Sequence, residues 1–132
     1  MTNTGRHFDW LHQAQDDLDC ANDIFKAKRY AQCCFLCQQG AEKAAKALGY
    51  FNGADIIRGH SITSIFSALK VNGELEKAGK YLDRFYISAR YPDAYPAGYP
   101  SQYIEKEDAE KALKSLESIF NYVNLEFHKT TS

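Results

Sequence analysis

The sequence has little of what defines several protein classes. It holds three prolines, four cysteines and one tryptophan in 132 residues. Its longest unbroken apolar run is the five residues 33–37, which is far too short to cross a bilayer. The first residues contain no apolar segment of the kind found in secretory signal peptides. These absences predict a cytoplasmic protein with reduced cysteines and no membrane association.

Excess charge of either sign is also missing. The chain carries 16 Lys and Arg against 17 Asp and Glu, so its net charge is -1. No overall field therefore attracts nucleic acid or anionic lipid, and any phosphate binding must come from a local cluster. Nine tyrosines and eight phenylalanines supply ample apolar surface. A chain of this length and composition predicts a single domain over residues 1–132.

Apolar residues recur at helical spacing in five segments, and no segment reads convincingly as a strand. The predicted helices cover residues 8–28, 30–51, 61–70, 74–90 and 104–127. Thr4 is placed to cap the first helix and Ser61 the third. Because the connections among the first four are short, consecutive helices should pack antiparallel. The sequence predicts an all-α fold, an up-and-down bundle of four long helices plus one short helix.

The segment between the last two helices, residues 91–103, differs in composition from the other connections. It contains all three prolines and four of the nine tyrosines. Prolines restrict the backbone, and tyrosines pack while keeping a polar tip in water. We therefore expect an ordered loop, and ordered loops often carry function.

The cysteines offer half of a metal or redox motif. Cys34 and Cys37 form a C-x-x-C pair beside Cys33, and Cys20 is the fourth cysteine. A structural zinc site usually needs two such pairs, and a thioredoxin-type motif would follow a strand. Small buried core residues are the favoured interpretation, since free cysteine is among the most buried residue types. Neither a metal nor a cofactor is predicted.

Two lysines of the second predicted helix are candidates for phosphate contacts. Lys43 and Lys46 lie three residues apart on one side of that helix and could meet a phosphate as point charges. The alternative is a solvated face on which Glu42 and Lys46 form an ion pair at four-residue spacing.

His60 immediately precedes the predicted cap of the third helix. Together with Arg58 and the Ser61 hydroxyl it could hold an anion at the helix N-terminus. A hydrogen bond from His60 across the bundle is an equally good interpretation.

The clearest local signal follows the fourth predicted helix at Arg90, Tyr91, Pro92 and Asp93. Proline pushes Tyr91 out of the helical region, so the helix should end near Arg90. In a structural interpretation, Arg90 pairs with Asp93 and locks the loop. In a functional interpretation, Arg90, Tyr91 and Asp93 line a cleft, with Arg90 on phosphate and Tyr91 stacked on a base.

In their order and spacing these segments resemble the HEPN family, the higher eukaryotes and prokaryotes nucleotide-binding domain. The resemblance rests on residues 38–47 (Gln-Gln-Gly-Ala-Glu-Lys-Ala-Ala-Lys-Ala), 60–62 (His-Ser-Ile) and 90–94 (Arg-Tyr-Pro-Asp-Ala). It extends to Trp10, Ala14 and Tyr30, and so covers nearly the whole chain.

The resemblance implies a helical bundle that forms homodimers. Family members are often encoded beside a small nucleotidyltransferase, in a pair that resembles a toxin–antitoxin module, and some bind nucleotides. We therefore expect a module that binds a nucleotide, ATP or GTP, or such a protein partner. The candidate site residues are Lys43, Lys46, His60, Arg90, Tyr91 and Asp93.

One branch of the family consists of metal-independent ribonucleases with an Arg followed, after four to six residues, by a His. Here the positions after Arg90 where that histidine would fall hold Tyr95, Pro96 and Ala97. The departure favours a non-nuclease member with no catalytic residue. Two alternatives remain open: a ribonuclease with a rearranged active site, and a structural partner that docks another protein through its tyrosine loop.

Overall fold

The computed structural model describes residues 5–129, and every regular element in that range is helical. The helices are α1 (His7–Lys26), α2 (Tyr30–Phe51), α3 (Ile62–Ala68), α4 (Glu74–Asp83), α5 (Phe85–Ser88), α6 (Pro100–Tyr103) and α7 (Lys106–Lys129). A 3₁₀ helix, Pro92–Ala94, lies between α5 and α6. The all-α fold is confirmed, and Thr4 lies outside the described residues. Across residues 5–129 no helix combines the length and apolarity needed to cross a membrane.

The centre of the bundle is α2, which packs most extensively against α1 and α7. Its inward side is built from small residues such as Ala41, Ala44 and Ala45, all with no exposed surface. At Gly40 an added Cβ would lie 3.1 Å from Leu116 of α7 and 3.2 Å from Asp17 of α1. The small side chains therefore let both long neighbours approach α2 closely.

Three of the four cysteines belong to this core. Cys33, Cys34 and Cys37 have no exposed surface, and the Cys33 thiol donates a hydrogen bond to the Ala21 carbonyl at 3.5 Å. Burial raises the pKa of Cys34, and a hydrogen bond with Cys33 together with burial raises the pKa of Cys37. The core interpretation is confirmed for these residues, whereas Cys20 is exposed and does not fit it.

The predicted fourth helix, residues 74–90, is divided in the structure. α4 ends at Asp83 and α5 begins at Phe85. Arg84 between them keeps near-helical torsions, with φ -61° and ψ -22°. Because the backbone barely departs from helical geometry, the apolar spacing continues across the break and does not reveal it.

The side chain of Asp83 is hydrogen-bonded to the N-terminus of α3. Its carboxylate accepts hydrogen bonds from the backbone N–H groups of Ile62 and Thr63, both at 2.9 Å. It also accepts from the hydroxyls of Ser61 and Thr63. Ser61 is the N-cap as predicted, since its Oγ accepts from the Ser64 N–H at 3.0 Å. The end of α4 is thus tied to the start of α3.

The tyrosine-rich segment is ordered, as expected, and includes the 3₁₀ helix and α6. The rings of Tyr95 and Tyr103 stack with centroids 4.2 Å apart and planes within 4°. The Tyr95 hydroxyl donates to the Ser88 carbonyl at 2.8 Å. These contacts fasten the segment to the end of α5 and so fix the path of the chain after Arg90.

Candidate functional site

The structure divides the predicted site residues between two regions. We call the first the α1–α2 face, formed by Trp10, Asp17, Glu42, Lys43 and Lys46. We call the second the Tyr86 cluster, formed by Phe35, His60, Tyr86, Arg90 and Tyr91. Asp93 lies beyond both regions, exposed in the 3₁₀ helix.

On the α1–α2 face, Lys43 points toward α1. Its Nζ lies 2.8 Å from Oδ2 of Asp17, a residue that is only 7% exposed. The other Asp17 oxygen accepts from the Gln13 side-chain amide at 3.1 Å. The positive charge of Lys43 is therefore offset by a largely buried carboxylate that is itself well hydrogen-bonded.

Lys46 forms the ion pair with Glu42 that its spacing predicts, but the pair is not on a solvated face. The Lys46 Nζ lies 3.1 Å from Glu42 Oε2, and the two side chains are 9% and 7% exposed. Trp10 of α1 contributes to this burial, with its ring centroid 5.7 Å from the ammonium nitrogen. The alternative interpretation was right about the ion pair and wrong about the solvated face, because both side chains are largely buried.

His60 contacts the same carboxylate as Lys46 does. Its Nδ1 lies 3.2 Å and 3.3 Å from the two oxygens of Glu42. Its ring stacks on Tyr86 at 4.7 Å with an angle of 18° between the planes. The Gln38 side-chain amide donates to the His60 carbonyl at 2.9 Å. The hydrogen bond across the bundle is confirmed, and anion binding by His60 stays a prediction.

The helix N-terminus beside His60 is not open to an anion. The N–H groups of Ile62 and Thr63 already donate to Asp83. A phosphate in this region would therefore have to bind through the His60 side chain, which is 56% exposed, rather than through the α3 backbone.

Arg90 is surrounded by aromatic rings. Its guanidinium carbon lies 4.5 Å, 4.6 Å and 4.8 Å from the ring centroids of Phe35, Tyr86 and Tyr91. Its Nε donates to the Tyr86 carbonyl at 2.7 Å. Its Nη1 donates to the Tyr91 hydroxyl at 3.5 Å. These contacts satisfy two N–H groups and hold the guanidinium plane, while the remaining N–H groups keep their capacity for a ligand.

The predicted pair between Arg90 and Asp93 does not form. In the part of the chain that the structure describes, no carboxylate lies within ion-pair distance of Arg90. The loop is held by the tyrosine contacts described above, which makes an ion pair unnecessary for its order. Arg90 consequently differs from Lys43 and Lys46, because its charge is not offset by a neighbouring acid.

The Tyr86 cluster brings together three of the predicted residues, namely His60, Arg90 and Tyr91. His60 and Arg90 both rest on the Tyr86 ring, and Tyr91 is 48% exposed. A surface depression of about 340 Å³ is lined by His60, Ser61, Asp83 and Tyr86. Neither Arg90 nor Tyr91 lines this depression. The cluster thus joins a guanidinium and an imidazole through one shared ring, and these groups with the exposed Tyr91 ring are of the kinds that bind a phosphate and a flat base.

The sequence analysis missed several residues that support the predicted site residues. Glu42 was considered only as a partner of Lys46, and Gln38, Phe35 and Tyr86 were not considered for this site. A signal for some of them existed: residues 38, 42 and 46 share one helical face at four-residue spacing, and Tyr86 precedes Arg90 by four. Among residues 5–129 no group of three or more potential ligands is placed to hold a metal ion.

The chain matches the model of one protein family, the HEPN domain, over residues 8–126. It is also similar to a protein of Methanocaldococcus jannaschii named "Putative toxin MJ1304". The two are 28% identical over 127 residues, which span 86% of this chain and 83% of that protein.

Solved structures resemble the chain over nearly its full length. The crystal structure of TT1696 from Thermus thermophilus superposes with a TM-score of 0.85 at 36% identity, covering 94% of this chain and 98% of that one. The structure of ST0689, described as an archaeal HEPN homologue, superposes with a TM-score of 0.76 at 34% identity, covering 92% and 97%. An HEPN domain protein of Thermotoga maritima gives 0.70 at 28% identity, covering 91% and 98%.

Proposed function

The chain belongs to the HEPN domain family, and from this premise we propose that it binds a nucleotide or a protein partner within a toxin–antitoxin-type pair. The name of the M. jannaschii relative supports the toxin–antitoxin part of the proposal. The family resemblance supports a homodimer and a small nucleotidyltransferase as companion. ATP and GTP are the candidate nucleotides.

The state of Arg90 is the observation that carries this proposal. Its guanidinium is oriented by three aromatic rings and two hydrogen bonds, and its charge has no acidic partner among the described residues. A preoriented guanidinium is well suited to phosphate oxygens, since its planar N–H fork matches their geometry. The exposed Tyr91 ring beside it would stack on the base.

The other candidate residues would contribute less than Arg90 to ligand binding. His60 would donate to a phosphate oxygen when it is protonated, and the exposed Asp93 would accept from ribose or base. Lys43 and Lys46 are paired with Asp17 and Glu42. A phosphate could recruit either lysine only by displacing a carboxylate, so we rank both below Arg90.

Calorimetric titration of the purified protein with ATP and GTP tests the proposal. We expect a dimer by light scattering that binds at least one nucleotide and loses that binding in Arg90→Ala. Arg84→Ala is the matched control, because Arg84 is an exposed arginine that also lies over two aromatic rings, those of Tyr81 and Phe85. Equal loss in both variants, or no binding by the parent, would contradict the nucleotide site.

A second candidate function, a metal-independent ribonuclease, is favoured by the contact between His60 and Glu42. A histidine oriented by a carboxylate and a guanidinium held against the same tyrosine ring are the kinds of group that RNA cleavage needs. Nε2 of His60 would take the proton of a ribose 2′-hydroxyl while that oxygen bonds to the adjacent phosphorus. The bond from phosphorus to the 5′ oxygen would break, that oxygen would take a proton from water, and His60 would return its proton to solvent.

Incubation with labelled RNA in EDTA tests this second candidate. Cleavage that persists in EDTA and is lost in His60→Ala would establish a ribonuclease with a rearranged site. An absence of cleavage, or cleavage that His60→Ala leaves unchanged, would leave binding as the function.

A further inference from the structure

We propose that Glu42 is a positioning residue that holds neutral His60 in the tautomer protonated at Nδ1, leaving on Nε2 the lone pair that would take up a proton in the site. The inference rests on the proposed site at His60 for its functional meaning. Its structural basis is the placement of one buried carboxylate between Lys46 and His60.

The proton on the hydrogen bond between Glu42 and His60 can be assigned by chemistry. Glu42 is 6% exposed, and its Oε2 lies 3.1 Å from the ammonium of Lys46. A carboxylate paired with an ammonium group is ionised and therefore only accepts hydrogen bonds. The close approach of Nδ1, at 3.2 Å and 3.3 Å, is then favourable only if Nδ1 carries the proton.

The ring has little freedom to turn away from this contact. Tyr86 covers one face of it, and the buried amide of Gln38 fixes the His60 carbonyl. The Gln38 amide oxygen in turn accepts from Gln39 at 2.8 Å. Tyr86 thus restrains the ring face, Gln38 restrains the backbone and Glu42 contacts Nδ1. Nε2 is therefore the ring nitrogen directed to other partners.

This arrangement gives Lys46 a role that does not require contact with a ligand. Lys46 keeps the Glu42 carboxylate ionised inside the protein, and the carboxylate orients His60. Carboxylates that fix the tautomer of a functional histidine through its second nitrogen are common in metal and acid–base sites.

Nitrogen-15 correlation spectra of the histidine-labelled full-length protein test the assignment without any ligand. We expect neutral His60, at the alkaline end of a pH titration, to show a protonated Nδ1 and an unprotonated Nε2. Histidine in water prefers the opposite tautomer. A wild-type spectrum with the proton on Nε2 would overturn the proposal, and this measurement needs no variant to fold.

Two variants separate positioning from a purely structural effect. In Glu42→Gln, the amide oxygen should turn to the Lys46 ammonium and the amide N–H toward Nδ1, so we expect the proton to move to Nε2. Lys46→Arg is the matched control, because it alters the same buried pair but keeps both the cation and the carboxylate beside His60. We expect it to retain the proton on Nδ1, and a switch of tautomer in both variants would count against Glu42 as the determinant.

Failure of this inference can be told from failure of the proposed function. A protonated Nδ1 that depends on Glu42, in a protein whose His60→Ala variant binds ATP and GTP and treats RNA as the parent does, would support the positioning and refute a role for His60 in the site. A proton on Nε2 would refute the positioning whatever the protein binds.

Discussion

The α1–α2 face and the Tyr86 cluster both contain basic side chains, but the partners of these side chains differ. On the α1–α2 face, Lys43 and Lys46 are each joined to a largely buried carboxylate. In the Tyr86 cluster, aromatic rings surround Arg90, and no acid among the described residues neutralises it. The difference teaches that a basic residue in a family motif can be part of the scaffold or part of the site, and that its partners decide which.

The chemistry of the two cations is consistent with this division. A guanidinium is weakly hydrated and stacks on rings without losing its outer N–H groups, whereas an ammonium inside a protein needs an anion beside it. The carboxylates therefore serve the stability of the bundle on one side. On the other side, the rings hold the Arg90 guanidinium in place, which suits the ligand proposed above.

Removing the carboxylate on the α1–α2 face should have the largest effect. We expect Glu42→Ala to lower the free energy of unfolding by about 3–5 kcal/mol, because it leaves a buried lysine without a counter-charge. Urea denaturation at neutral pH measures the loss. Glu110→Ala, at an exposed position of α7, is the control and should cost less than about 0.5 kcal/mol. Similar costs for the two variants would mean that the Glu42–Lys46 pair is not part of the scaffold.

Exchanging the two kinds of cation should distinguish the regions next. We expect Arg90→Lys to weaken nucleotide binding about tenfold, since lysine keeps the charge but lacks the planar fork and the Nε hydrogen bond; that corresponds to roughly 1.4 kcal/mol. Lys43→Arg is the converse exchange and should leave the affinity within about twofold. Titration calorimetry compares them, and full retention of affinity in Arg90→Lys would argue for a simple charge effect.

Loss of the exposed ring in the Tyr86 cluster should have a smaller effect. We expect Tyr91→Ala to reduce nucleotide affinity about fivefold, the low end of what one stacked base contributes. Tyr91→Phe should lose less affinity than Tyr91→Ala, because it keeps the ring that makes the proposed contact and removes only the hydroxyl that accepts from Arg90 at 3.5 Å. If Tyr91→Ala binds normally, the base does not stack there.

Neutralising Lys43 should affect binding least. We expect Lys43→Met to cost about 1–2 kcal/mol of stability, because Asp17 loses a charged partner but keeps the Gln13 amide. Nucleotide affinity should fall less than about twofold. Thermal unfolding and calorimetry of the same preparation report both quantities. A large loss of affinity with unchanged stability would return Lys43 to the centre of the site.

Much of the fold could be predicted from the sequence because helical periodicity is a local property. The bounds of α2 agree with the prediction to the residue, and the Ser61 cap was identified from its residue type and place. The break at Arg84 was missed, since its torsions stay nearly helical while the tie of Asp83 to α3 involves residues about twenty positions away.

The same limit applies to the candidate site, because the sequence predicts contacts within one helix but not contacts between helices. Spacing along one helix predicts the Glu42–Lys46 pair, but burial of that pair depends on Trp10 of another helix. The contact between Glu42 and His60 and the stacking of His60 on Tyr86 join segments that are distant in sequence. Residue patterns do not encode such contacts, so the pairing of Lys43 with Asp17 and the aromatic surroundings of Arg90 become clear only in three dimensions.

The most direct test of the division between scaffold and site is to follow the side-chain nitrogens during one titration. Protein labelled with nitrogen-15 would be titrated with GTP and, separately, with ATP while the Arg90 guanidinium signals and the Lys43 and Lys46 ammonium signals are recorded. We predict that the Arg90 signals shift with nucleotide and that both lysine signals stay in place. Shifts of the lysine signals with a stationary Arg90 would contradict the central claim.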